Sequence, residues 1–172
     1  TIRHQEIISF IGRRCLAREQ AGEEWFNANN VSIEKLINFW DWALANVTET
    51  KALSSFGYWI NPKKEVFNDN VTVEKIARTL KKSDGDIDYD YGLLERLPIF
   101  AEKFGERTLE IITNYLLDSK KNLNQNRRYP SFNQTEIKDA LKIIYKNGNE
   151  VLRQKVTDLI NTLIEKGSSM FW

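Results

Sequence analysis

Residues 134–167 read QTEIKDALKIIYKNGNEVLRQKVTDLINTLIEKG, and this stretch decides the fold class. Ile137, Ala140, Leu141 and Ile144 recur at the i, i+3, i+4, i+7 spacing that lines one face of a helix. After a break at Asn147, Gly148 and Asn149, the pattern resumes with Leu152, Val156, Leu159, Ile160 and Leu163. Gly148 is suited to the left-handed conformation that ends a helix, and Asn149 to accepting from the free amides that open the next. Two stripes facing each other across a tight turn make a helical hairpin. Gly167, after Lys166, is expected to stop its second arm.

The same periodicity runs outward through the chain. Ile7, Ile8, Ile11, Cys15 and Leu16 mark one face of a first helix from about residue 3 to 20. Ser32 is expected to cap a second, striped by Ile33, Leu36, Ile37, Trp40, Leu44 and Val47, with Trp42 off the stripe. A third runs from Thr50 to Ile60 and ends at Pro62. Thr72 is the expected cap of a fourth, with Val73, Ile76, Ala77 and Leu80 inward and Lys75, Lys81 and Lys82 outward. A fifth spans about residues 89 to 104 and should be kinked by Pro98. Gly105 is expected to be a short turn, and a sixth helix carries Leu109, Ile112 and Leu116 to about Ser119.

A chain of 172 residues suits one domain, and 41% apolar and 12% aromatic content are values that can build a core. Only 3 Pro and 8 Gly punctuate it, and no segment alternates with period two, so the fold class is all-α. A formal charge of +1 gives no global field toward nucleic acid or an anionic membrane. Cys15 is the single cysteine and His4 the single histidine, so neither a disulfide nor a Cys/His metal set can form within the chain, and no cofactor motif is present. No apolar run approaches the roughly 18 residues of a membrane span. Together these features place the protein in the cytoplasm as an expectation. The start at Thr1, inside a helical pattern, suggests a domain excised from a longer protein.

Gly105 and Gly148 lie about 43 residues apart, and the same interval counted back reaches Pro62 and then Glu19. Four antiparallel hairpins would fill residues 1–172 as an irregular right-handed solenoid. Asn149, Glu150, Val151 and Arg153, followed by Val156, Leu159 and Leu163, resemble the start of the second helix of a HEAT (armadillo-type) repeat. Leu94, Leu97, Pro98 and Phe100 resemble its Pro-kinked first helix. The resemblance covers residues 88–167; Trp40, Trp42 and Trp59 depart from the pattern in the first half. The chain is also similar to helical C-terminal regions of large bacterial proteins whose N-terminal parts carry nucleotide-hydrolysing or sirtuin-like domains. That resemblance implies a sensing or scaffold segment and transfers no catalytic residue.

Three functions fit. The first is a non-catalytic protein-interaction or scaffold domain, with Trp42, Tyr58 and Trp59 as aromatic contacts to other domains or subunits. The second is nucleic-acid binding through Lys120, Lys121, Arg127 and Arg128 with Tyr129 beside them, since a basic loop with aromatics holds phosphates and stacks bases. The third is an enzyme acting on a nucleotide or base, which would need a concave pocket gathering Trp59 with a carboxylate. One further pattern stands apart. Asp84, Asp86, Asp88, Asp90 and Glu95 occupy the first, third, fifth, seventh and twelfth positions of a calcium loop, but Tyr89 stands where the loop needs glycine.

Overall fold

The apolar stripes become eight α-helices in the computed structural model, which describes residues 3–16, 31–62, 65–117 and 134–167; among these there is no strand. The side chain of Cys15 and the segment containing Lys120, Lys121, Arg127, Arg128 and Tyr129 lie outside the described residues. No helix among those described is long and apolar enough to cross a membrane.

Helix α1 (His4–Phe10) passes directly into a π-helical turn, Ile11–Leu16. Helix α2 (Ile33–Asn46) starts as expected, with the Ser32 hydroxyl accepting from the Lys35 amide at 3.2 Å. Its stripe buries Leu36, Trp40 and Leu44, whereas Ile33, in the first turn, is exposed. The third helix is shorter than expected. It is α-helical only over Thr50–Ser54 (α3) and tightens into a 3₁₀ segment over Ser55–Trp59.

Helix α4 (Asp69–Lys82) begins one turn before the expected cap. Asn68 is the cap, accepting from the Asn70 amide at 2.9 Å, and Thr72 sits inside the first turn with its hydroxyl donating to the Asn68 carbonyl. Asparagine caps at least as well as threonine, and Asp69 in the first turn suits the helix dipole. Lys75 is also corrected: it is buried, and its ammonium pairs with Asp41 on α2.

Helix α5 (Tyr91–Lys103) runs through Pro98. Phe104 alone separates it from α6 (Gly105–Leu117), so Gly105 is the first helical residue and not a turn. Helices α7 (Gln134–Asn147) and α8 (Glu150–Glu165) form the expected pair, with Asn149 accepting from the Leu152 amide at 2.9 Å. Gly167, at φ 79°, is left-handed as expected, but Gly148 is not. Space explains that glycine. A Cβ there would lie 2.7 Å from the Ile144 carbonyl oxygen and 3.1 Å from the Leu152 Cβ.

Packing follows two regimes. Around the N-terminal helices the core is aromatic: Trp40 stacks on Phe56 with centroids 4.7 Å apart, and Trp59 meets Phe56 edge-on at 4.9 Å and stacks on Phe67 at 5.9 Å. Both indoles are satisfied, Trp40 donating to the Thr79 hydroxyl at 3.1 Å and Trp59 to the Ile8 carbonyl at 2.9 Å. Buried polar groups of this kind are stable only when paired. Toward the C-terminus the core is aliphatic. Leu93, Leu97, Ile112, Ile137, Ile144, Val156 and Leu159 are all buried, and α5 packs most broadly on α7, α4 on α6.

One buried ion cluster ties α4 to α5. Asp69 pairs with Arg96 and, at 2.9 Å, with Lys103. Burial pushes the Asp69 carboxyl up, but the hydrogen bond from Lys103 and the charge of Arg96 outweigh it and hold the group below its ordinary value. A group depressed in the folded state contributes stability above its unfolded pKa and loses it as pH falls through the folded pKa. Urea midpoints should therefore drop between about pH 6 and about pH 3, and the acid-dependent part should shrink in Asp69→Asn. Leu159→Ala, at a position 5% exposed, should cost about 2–5 kcal/mol by urea unfolding.

Candidate functional site

Three glycines determine how the surface aromatics are held. A Cβ on Gly12 would lie 2.5 Å from the Tyr58 Cβ; on Gly57, 1.8 Å from the Asp88 carbonyl oxygen; on Gly92, 2.2 Å from the Ile60 carbonyl oxygen. The 3₁₀ segment is thus pressed by the π-helical turn, by the loop before α5 and by α5 itself, all at backbone distance.

That loop, residues 83–90, is braced along its length. The Gly85 amide donates to the Leu80 carbonyl at 2.8 Å, the Ser83 hydroxyl to the Asp86 carbonyl at 2.6 Å, and the Asp88 amide to the Ser54 carbonyl at 2.9 Å. Asp84 (φ 53°) and Tyr89 (φ 52°) are both left-handed. For a bulky residue such as Tyr89 this conformation is an outlier, costing about 1–3 kcal/mol, and it persists only where the surroundings impose it.

The calcium spacing is not realised. Asp88 accepts from the Ser55 hydroxyl at 3.1 Å, Asp90 from the Tyr115 hydroxyl at 2.6 Å, and Glu95 from the Tyr91 hydroxyl. Without glycine at the sharp turn the carboxylates fan outward to separate partners. Among the described residues no three His, Cys, Asp or Glu side chains gather to hold a metal ion.

Of the aromatic candidates, Trp59 is corrected. It is 1% exposed, in the core, and touches no solvent-facing partner site. No acid and concave pocket assemble around it, so the arrangement expected of a base-acting enzyme is not found there. Tyr58 is half-buried in a ladder: the Arg13 guanidinium lies 4.1 Å over its ring and donates to its hydroxyl at 2.5 Å, and the Tyr89 ring stacks on it at 5.5 Å and 14°. Tyr89 is 55% exposed.

Trp42 is 46% exposed and is the surface end of a second row. It stacks on Phe39 (5.8 Å, 21°), which stacks on Trp59 (6.1 Å, 20°), while His4 meets it edge-on at 5.8 Å. His4 in turn lies 3.7 Å from Glu49. Phe39, Arg13 and Tyr89 were not singled out by sequence reasoning. Phe39 sits one residue before Trp40, and its role depends on where Trp59 falls; Tyr89 depends on a backbone conformation that no residue pattern there announces.

A groove of about 910 Å³ opens between α6 and α8, floored by Leu109, Leu117 and Leu159 with Thr113, Asn114 and Thr162 on its walls. A Glu106–Lys155 ion pair at 2.8 Å crosses it. The Lys155 hydrogen bond and charge hold the Glu106 carboxyl below its ordinary value.

The helices define the class of protein: an all-α domain with an aromatic N-terminal core and an aliphatic C-terminal one. Comparison with protein-family models, with curated proteins and with solved structures returns no match.

The glycine contacts carry a testable consequence. Gly57→Ala forces a Cβ into the Asp88 carbonyl, whose own amide is pinned to Ser54, and should cost about 3 kcal/mol or more in urea unfolding. Gly105→Ala, whose nearest contact is 3.5 Å, should leave stability unchanged or raise it by up to about 1 kcal/mol.

Proposed function

We propose that this chain is a protein-interaction or scaffold domain, built as an irregular stack of helical pairs of the HEAT-like kind. Contacts between next-but-one helices support the stack: α4 with α6, α5 with α7 and α6 with α8, alongside the sequential pairs α5 with α6, α6 with α7 and α7 with α8. Such a ladder is how solenoids bury each stripe against the next unit. The N-terminal helices replace it with the aromatic cluster.

Trp42 carries the functional reading. A half-exposed tryptophan held flat against Phe39, in a row anchored on buried Trp59, loses little side-chain freedom when a partner covers it. Tryptophan is also the residue type most enriched where truncation costs binding energy. The partner would be another protein chain or domain, with no chemistry performed here.

The test uses a photo-crosslinking amino acid at Ile33 or Phe10, both exposed, in cells that make the protein, followed by affinity measurement on the identified partner. Trp42→Ala should weaken binding by about 2 kcal/mol or more while costing the fold no more than about 1.5 kcal/mol. Equal affinity of the two proteins would overturn the assignment of Trp42, and the absence of any specific adduct would overturn the function.

A further inference from the structure

We propose that the open face of Tyr89 docks a basic side chain of a protein partner, arginine in particular. The proposal stands on the Tyr58 ladder and is independent of Trp42. Tyr58 is covered on its ring by Arg13 and by Tyr89, whereas Tyr89 gives one face to Tyr58 and remains 55% exposed. Its outward position is built in, because the left-handed backbone at Tyr89 is locked by the Asp88 amide on Ser54 and by the close approach of Gly57 to the Asp88 carbonyl.

The chemistry of the occupant follows from what surrounds and precedes that ring. Asp88 and Asp90 flank Tyr89 directly, Asp84 and Asp86 share its loop, and no lysine or arginine occurs from Ser83 through Glu95. The local field therefore favours a cation and repels a phosphate backbone, which selects against a nucleic-acid base as the stacking group. A planar guanidinium is more weakly hydrated than an ammonium and stacks on aromatic faces, so it matches a flat ring better. The molecule already makes this contact once, with Arg13 over Tyr58 at 4.1 Å. A partner arginine on Tyr89 would extend the same ladder by one rung.

The experiment titrates the full chain with acetylated hexa-arginine amide, with hexa-lysine and hexa-glutamate as comparison peptides, by calorimetry at low salt. Tyr89→Gly is the informative variant: glycine accepts the left-handed conformation at no steric cost, so the urea midpoint should hold or rise while the ring is lost. Hexa-arginine should bind more tightly than hexa-lysine and hexa-glutamate should not bind. Tyr89→Gly should weaken hexa-arginine binding about fivefold or more, and Tyr89→Phe, which keeps the face and loses the hydroxyl, should retain it. Equal affinity in Tyr89→Gly, loss in Tyr89→Phe matching that of the glycine variant, or no hexa-arginine binding to the parent chain would each overturn the proposal.

Discussion

The structure depends on backbone reaching backbone around Ser55–Trp59. At Gly12, Gly57 and Gly92 the space for even one carbon is already occupied, so a π-helical turn, a braced loop and the start of α5 all close on a single 3₁₀ segment. Packing at this distance leaves no room for side chains to adjust, and interiors of that density transmit displacement instead of absorbing it. The position of Trp59 follows. Its ring is set among Trp40, Phe56 and Phe67, and its N–H is directed at the Ile8 carbonyl.

From that junction the two halves of the chain diverge in how they are held. Large flat rings with paired polar edges orient the N-terminal helices, and a misplacement there would strand an indole N–H as well as lose contact area. The helices from α4 onward meet through branched aliphatic side chains, reinforced by the Asp69, Arg96 and Lys103 cluster and by ion pairs such as Arg107 with Glu74 at 2.9 Å. Arg96 leaves its Nε buried without an acceptor, a cost of about 1–3 kcal/mol that the pairing with Asp69 offsets.

Much of the C-terminal half was legible from its residues. The 3.6-residue period placed Ile137, Ile144, Val156 and Leu159 correctly because each stripe faces one neighbour, and Ser32 and Asn149 cap as their chemistry dictates. The failures share a cause. Thr72, Lys75, Gly105 and Gly148 were each assigned from local preference, and in each case a neighbour distant in sequence or an equally good adjacent residue decided otherwise. Trp59 was read as a surface aromatic because periodicity fails where a helix tightens to 3₁₀. Of the surface, Trp42 was visible from its offset to the stripe, whereas Tyr89 was hidden: a left-handed tyrosine is a product of tertiary constraint and has no local signature.

The torsion at Tyr89 also bears on kinetics. A ring whose direction is set by φ and ψ, not by a choice among rotamers, has its orientation settled when the chain folds. Any molecule arriving there would meet a stationary target, so its capture would be governed by diffusion and its own alignment, with no waiting step for the host to rearrange.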